Sequence, residues 1–149
     1  MQKKSILIIG TVWVEPNSSA AGSRMLQLIQ LFLAQNYTVT FASASQKNEK
    51  AISLHSLGIN EVYIELNNVS FDDFIKELQP TIVIFDRFMM EEQFGWRVAE
   101  NCPNAIRILD TEDLHFLRKT RHQQLKKGEE FTNEALLKSD DSKREIASI

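Results

Sequence analysis

The sequence is short of several features that would mark particular classes of protein. Its single cysteine, Cys102, excludes an internal disulfide and favours a reducing compartment, and we interpret it as a small apolar residue at a helix end. No apolar run approaches the roughly 18 residues of a membrane-spanning helix. The net charge of −3 gives no electrostatic reason to expect nucleic-acid binding. We therefore expect a cytoplasmic protein that does not bind nucleic acid.

Two phosphate-binding motifs are missing as well. Neither the dinucleotide fingerprint G-x-G-x-x-G nor the P-loop pattern G-x-x-x-x-G-K-[ST] occurs between Gly10 and Gly22, where an apolar run leads into a helical pattern. This argues against a cofactor pocket that is complete in this chain. The i, i+2 spacing of Asp113 and His115 specifies no metal geometry. We therefore predict neither a cofactor nor a metal ion.

What the sequence does contain is a regular alternation of strand and helix patterns. Short apolar or alternating runs predict five strands, over residues 6–9, 37–43, 61–66, 81–85 and 105–109. Apolar residues at helical spacing predict the helices between them, over residues 24–32, 48–57, 71–78 and 91–101. This alternation predicts a Rossmann-like, three-layer α/β/α fold with a mostly parallel sheet in the order 3-2-1-4-5, in one domain over residues 1–149.

The pattern changes after the fifth strand. Helices are predicted over residues 116–127 and 134–138, with a loop between them. Ser70 with Asp73, and Ser142 with Glu145, form capping-box patterns that mark helix starts. The second pattern lies within two turns of the last residue, and so short a helix is marginal without tertiary support. We therefore expect the chain to be a fragment of a longer protein.

Three segments carry candidate functional residues at the carboxyl ends of the first, fourth and fifth strands, where parallel α/β sheets bind ligands. The candidate substrate-binding residues are Ser19, Ala21, Gly22, Arg24, Asp86, Arg87, Glu112 and Asp113. Small residues at a helix start let backbone amides approach a ligand. A histidine supported by a carboxylate can orient or deprotonate a hydroxyl group, so His115 and Asp110 are the candidate catalytic residues.

Each segment also has a purely structural interpretation. The first loop fits an ordinary strand-to-helix connection capped by a serine. Asp86 and Arg87 fit a structural ion pair, and the acids after the fifth strand fit a helix N-terminus, where carboxylates complement the helix dipole. The basic residues within 118–127 fit a solvated helix face or a weak peripheral contact with an anionic membrane. We assign no role to His55 and His122.

Three stretches carry a resemblance to a known family. They are ILIIG through SAAGSRM at residues 6–25, IFDRFM at 84–89 and RILDTEDLH at 107–115. With these stretches the chain resembles the N-terminal domain of bacterial GT-B-fold glycosyltransferases of the family 4 type. The resemblance covers essentially the whole chain. One departure is Val14, where the family's pattern has proline in a W-P-E-P run.

This resemblance implies a protein of two Rossmann-like domains that face a cleft. The N-terminal domain would hold the hydroxyl acceptor, and the C-terminal domain would hold the nucleotide-sugar donor with paired glutamates. It also implies that the loop at Gly22 faces the donor phosphates and the acceptor, that His115 and Asp110 orient the acceptor, and that the reaction retains the anomeric configuration. Because this chain ends before a donor-binding domain could begin, we expect it to be inactive alone.

Two alternatives stay open at this point. The first is a stand-alone binding or regulatory module with a Rossmann-like or flavodoxin-like sheet, because one type of sheet supports many functions. The second is an interaction domain whose basic helix docks on a partner or a membrane.

Overall fold

The computed structural model describes residues 4–149 and has the predicted α/β fold. Five parallel strands form one sheet in the order β3-β2-β1-β4-β5, which confirms the predicted order. In chain order the elements are β1 (Ser5–Gly10), α1 (Ala20–Ala34), β2 (Thr38–Ser43), β3 (Asn60–Tyr63), α2 (Ser70–Leu78), β4 (Ile82–Asp86), α3 (Phe88–Asn101), β5 (Ile106–Asp110), α4 (His115–Lys127), α5 (Asn133–Lys138) and α6 (Asp140–Ala147). None of the helices within residues 4–149 has the length and apolar content needed to cross a bilayer.

The core consists of two apolar layers, one on each face of the sheet. The layer that includes α2 and α3 is formed by Leu7, Ile9, Val83, Phe85, Phe71, Ile75, Phe94 and Val98. The layer that includes α1 is formed by Ile6, Ile8, Val39, Phe41, Ile84, Met25, Ile29, Trp13 and Leu54. Strand β1 is therefore buried on both faces, which explains its continuous apolar run. Burial of each large apolar side chain contributes about 1.5–3 kcal/mol.

The sheet is less completely covered at β5. Ile106 is 58% exposed and Ile108 is 41% exposed. The helices that follow β5 lie beside α3, where Arg144 of α6 donates two hydrogen bonds to Glu92, of 2.8 and 2.7 Å. The side of β5 that faces α1 consequently remains open in the part of the chain described.

Residues 48–57 do not form the predicted helix, and only a single 3-10 turn forms near their end. The N–H group of Ile52 donates to the carbonyl of Val14 at 3.0 Å. The N–H group of Leu54, whose side chain is fully buried, donates to the Glu61 carboxylate at 2.7 Å. Tertiary partners thus take the backbone groups that a helix would have paired internally.

The third strand is shorter than predicted. It ends at Tyr63, and although Ile64 is buried, Leu66 at the end of the predicted run is 50% exposed. The predicted run over residues 61–66 therefore leaves the sheet after Tyr63.

Both predicted capping boxes are wrong. Ser70 is itself the first residue of α2, and its N–H group donates to the Asn68 side chain at 2.9 Å. Ser139, and not Ser142, caps α6, because its hydroxyl accepts a hydrogen bond from the Ser142 N–H group at 3.1 Å. Glu145 turns away from its own helix start and binds the start of α4 instead.

Candidate functional site

A pocket opens where the strand order reverses, at the carboxyl ends of β1 and β4. The helix after β1 lies on one face of the sheet and the helix after β4 lies on the other, so a crevice forms between them. The pocket has a volume of about 50 Å³. Its lining consists of Val12, Trp13, Val14, Glu15, Ser19, Ala21, Gly22, Met25, Phe41, Asp86 and Arg87. Five of the eight predicted substrate-binding residues therefore line one pocket.

A bidentate ion pair joins α1 to the end of β5 at the rim of this crevice. The guanidinium group of Arg24 donates to both carboxylate oxygens of Asp110, at 2.6 and 3.1 Å. The hydrogen bonds that Arg24 donates to Asp110 raise the pKa of Arg24 above its ordinary value. Arg24 is half exposed and Asp110 is mostly buried, and neither residue lines the pocket itself.

A second ion pair, beside the first, has strained backbone at both partners. Arg87 has φ of 74° and Glu112 has φ of 52°, in the left-handed region that side chains other than glycine rarely adopt. The Arg87 N–H group donates to the Asp110 carbonyl at 2.8 Å, and its guanidinium group donates to a Glu112 carboxylate oxygen at 3.3 and 3.4 Å. Such strain costs on the order of 1–3 kcal/mol per residue and persists only where surrounding contacts hold it.

Asp86 places a nearly buried carboxylate against the pocket, and it is 6% exposed. Desolvation by burial, the largest influence, raises the pKa of the Asp86 carboxyl, and the nearby Glu112 and Asp110 carboxylates act in the same direction. Arg87 opposes this rise, but its Nε atom is 3.9 Å from the carboxylate of Asp86. Arg87 thus forms two ion pairs. The predicted one, with Asp86, is longer than the one with Glu112, which measures 3.3 Å.

The loop after β1 is fixed by a serine cap and by a close backbone contact. The Ser19 hydroxyl accepts a hydrogen bond from the Gly22 N–H group at 3.0 Å. A Cβ atom at Gly22 would lie 2.2 Å from the carbonyl oxygen of Glu15, so only glycine permits the observed approach. Ser19 thus performs the capping role of the structural interpretation, and Ala21 and Gly22 form a small-residue wall of the pocket. The Gly22 amide is already occupied by Ser19.

The remaining predicted residues lie just beyond the pocket. Asp113 forms an ion pair with Arg118 at 2.7 Å in exposed surroundings. His115 begins α4, and its ring makes an edge contact with Phe88 at a centroid distance of 5.8 Å. Because Phe88 directly follows Arg87, His115 borders the crevice without lining the pocket itself.

Two contributors to the site were missed by the sequence interpretation. Trp13 forms a wall of the pocket, with its indole Nε1 donating to the Ser45 carbonyl at 2.7 Å. The position of Trp13 in the loop after an apolar strand could have indicated this role from the sequence. Glu145 reaches His115 from 30 positions further along the chain, and no local pattern could have indicated that contact.

Three residues of the basic helix face contact neighbouring side chains. Arg118 pairs with Asp113, Lys119 pairs with Asp141, and Arg121 lies over the ring of Phe131. These contacts fit the solvated-face interpretation of α4. Over residues 4–149 no cluster of three or more His, Cys, Asp or Glu side chains is arranged to hold a metal ion.

No protein family and no curated protein matches this chain. Among solved structures, the Kef C-terminal domain of Shewanella denitrificans in its AMP-bound form is similar, with a TM-score of 0.48 and 15% identity over 97% of this chain and 89% of that one. The MycE methyltransferase of the mycinamycin biosynthetic pathway, in complex with Mg and SAH, has a TM-score of 0.47 and 15% identity, over 83% of this chain and 37% of that one. With TM-scores below 0.5, neither likeness bears on the function of this chain.

Proposed function

We propose that the chain is the acceptor-side domain of a cytoplasmic, bacterial GT-B glycosyltransferase that transfers a sugar from a nucleotide-sugar donor to a hydroxyl acceptor. A Rossmann-like sheet with its ligand crevice at the reversal of strand order supports this proposal, as do the three stretches that resemble this family. The donor would be held by a second domain, so the chain alone would catalyse no transfer.

The charge arrangement at the crevice is the observation that carries the proposal. Three carboxylates, of Asp86, Asp110 and Glu112, surround two guanidinium groups, and each guanidinium is already paired with a carboxylate. A phosphate group would meet no unpaired cation in this cluster. A hydroxyl group can instead donate to a carboxylate oxygen, and such charge-assisted hydrogen bonds are strong. The crevice therefore suits the acceptor better than the donor phosphates.

The residues at the crevice take distinct roles under this proposal. Asp110 and His115 orient the acceptor hydroxyl, and Asp86 accepts a hydrogen bond from a neighbouring hydroxyl inside the pocket. The buried Trp13 and the small residues Ala21 and Gly22 line the same pocket as Asp86. Because Arg24 holds the Asp110 carboxylate in a bidentate pair, this carboxylate has a fixed orientation before any ligand binds.

A titration followed by NMR tests which ligand class the chain binds. We expect N-acetylglucosamine or methyl glucoside to shift the backbone amides of Trp13, Ser19 and Arg87, and UDP to leave them unchanged. Asp86→Asn should weaken sugar binding roughly tenfold, the effect of one charge-assisted hydrogen bond. Glu134→Gln, at an exposed carboxylate of α5, is the matched control and should bind as the unaltered chain does.

Calorimetry on the 149 residues distinguishes the main alternative. Tight binding of a flavin or a nucleotide by the chain alone would contradict the proposal and support a stand-alone binding module. In the longer protein that the proposal implies, His115→Ala should abolish most turnover of a nucleotide-sugar. Absence of turnover with every common donor, together with no effect of His115→Ala on acceptor binding, would count against a glycosyltransferase.

A further inference from the structure

The start of α4 is held by a carboxylate from another helix. Glu145 of α6 is 3% exposed, and its two oxygens accept hydrogen bonds from the N–H groups of His115 and Phe116 at 2.8 and 2.7 Å. These N–H groups belong to the first turn of α4, which has no partners within its own helix. The Glu145 carboxylate is therefore held next to the backbone of His115 by main-chain hydrogen bonds, which do not involve the imidazole ring.

The imidazole ring of His115 meets the same carboxylate. Its Nδ1 atom lies 3.4 Å from Oε1 of Glu145. That nitrogen is closed off from solvent and forms no hydrogen bond of good geometry with any residue described. The side chain as a whole is 29% exposed, so the exposed part of it lies on atoms other than Nδ1. The edge of Phe88 packs against the ring and limits its rotation.

We infer that Glu145 is a positioning residue for His115, one that fixes the neutral ring with its proton on Nδ1. A neutral imidazole carries one N–H group and one lone pair. If the lone pair were on Nδ1, it would face a carboxylate oxygen with no water between them, which is repulsive. With the proton on Nδ1, the same contact becomes a charge-assisted hydrogen bond after a small adjustment of the ring. The second nitrogen, Nε2, then carries the lone pair.

This tautomer gives His115 a defined chemical capacity. Nε2 accepts a hydrogen bond and can take a proton from a hydroxyl group, while the Glu145 carboxylate stabilises the positive charge that forms on the ring. The role of Nε2 toward the acceptor hydroxyl rests on the proposed function. The tautomer of His115 does not depend on it. Two ion pairs join α6, which carries Glu145, to neighbouring helices. Arg144 pairs with Glu92 of α3, and Asp141 pairs with Lys119 of α4.

The tautomer can be measured directly on the 149-residue chain by nitrogen-15 NMR of the histidine side chains. His115 is assigned by the loss of its signals in His115→Gln. In the unaltered chain at a pH where the ring is neutral, we expect an Nδ1–H form that exceeds the Nε2–H form by roughly tenfold or more, as a charge-assisted hydrogen bond warrants. A dominant Nε2–H form in the unaltered chain would overturn the inference without any variant.

A pair of variants on the same helix separates positioning from capping. Glu145→Gln keeps the shape of the side chain and one acceptor oxygen, and we expect it to remove the tenfold preference for Nδ1–H. Asp140→Asn removes an exposed carboxylate from the same helix, one that pairs with Lys143 of that helix, and should leave the tautomer unchanged. If Glu145→Gln folds and keeps the preference, Glu145 is only a cap of α4 and the inference fails.

The two proposals fail separately. A fixed Nδ1–H tautomer in a protein that transfers no sugar would overturn the proposed function and leave the role of Glu145 intact. Sugar transfer by a longer protein in which His115 has no tautomer preference would overturn only the present inference.

Discussion

Gly22 and Gly95 both lie in helices, but a methyl group would meet different neighbours at the two positions. At Gly22 the added Cβ would lie 2.2 Å from the Glu15 carbonyl oxygen, which is backbone and cannot move without displacing the pocket loop. At Gly95 the nearest atom, at 2.6 Å, is the end of the flexible Glu91 side chain. The same substitution should therefore have opposite effects.

We expect Gly22→Ala to destabilise the fold by at least about 1–3 kcal/mol, the usual cost of forcing atoms into a packed region. Gly95→Ala should stabilise it by about 0.5–1 kcal/mol, because alanine has a higher helix propensity than glycine. Urea unfolding of the two variants at one pH measures both changes. A stabilising effect of Gly22→Ala would show that the loop at Glu15 can move away at little cost.

Asp86 makes stability depend on pH in a predictable direction. Burial raises the pKa of its carboxyl in the folded chain, so ionisation is less favourable there than in the unfolded chain. As the pH rises from the ordinary aspartate pKa to the raised folded value, the unfolded state gains more from ionisation and the free energy of unfolding falls. Below this window the group is protonated in both states and the penalty is absent.

Asp86→Asn should remove this penalty. We expect the variant to be more stable than the unaltered chain above the window, with the difference shrinking as the pH is lowered through it. Thermal unfolding of both proteins over a series of pH values provides the measurement. A difference that does not vary with pH would mean that the carboxyl ionises equally easily in the folded and unfolded chains.

At the scale of elements, α6 is joined to the sheet domain through few polar contacts. The bidentate pair between Arg144 and Glu92 links it to α3, and both partners are substantially solvent-accessible. Ion pairs of this exposure contribute about 0–1 kcal/mol, so their loss loosens an element without unfolding the domain. Loss of the ion pair between Arg144 and Glu92 should therefore affect α6 and its contacts but not the core of the sheet.

Arg144→Gln should accelerate amide hydrogen exchange in α6 and at His115 and Phe116, whose N–H groups are held by Glu145 of that helix. Exchange in β1 and β4 should stay the same, because their protection reports the opening of the core. Lys143→Gln is the matched control, since the Lys143 side chain pairs with Asp140 within the same helix. Faster exchange in the central strands of Arg144→Gln would mean that α6 stabilises the whole domain.

The elements also show what the sequence can and cannot predict. The five strands were predictable because apolar runs and alternation follow directly from burial on one or both faces of a sheet. Residues 48–57 were not, since their backbone groups bind Val14, which is distant in sequence, and the side chain of Glu61, which lies outside the segment. The Ser142 and Glu145 pattern failed for the same reason. Its carboxylate has a tertiary partner that competes with the local one.

At the scale of the whole molecule, the sheet is unevenly supported across its width. Strand β1 is central and fully buried, with Ile8 inaccessible to solvent, whereas β5 is the last strand of the sheet and Ile106 is more than half exposed. Isoleucine should therefore contribute much more to the free energy of unfolding at position 8 than at position 106.

We expect Ile8→Ala to cost about 2–5 kcal/mol, the range found for isoleucine-sized cavities in protein cores. Ile106→Ala should cost less than about 1 kcal/mol, because most of its side chain is already in water. Chemical denaturation at matched conditions gives both values. A large cost for Ile106→Ala would indicate that the exposed side of β5 is covered in solution.

The location of the site was predictable from the fold, but its internal pairing was not. Asp86, Arg87 and Asp110 were expected together because the carboxyl ends of parallel strands share one edge. That Arg24 would bind Asp110, and that Arg87 would prefer Glu112 to its neighbour Asp86, depends on side-chain directions set by the strained turn after β4. Sequence spacing carries no information about such directions.

That strained turn has a consequence for how the molecule could be altered. A glycine at position 87 would adopt φ of 74° at no steric cost, and it would keep the N–H group that binds the Asp110 carbonyl. The backbone strain at this position would therefore be relieved, while Glu112 and Asp86 would lose a nearby cation. Arginine at this position thus keeps a positive charge beside the pocket at the expense of a strained backbone.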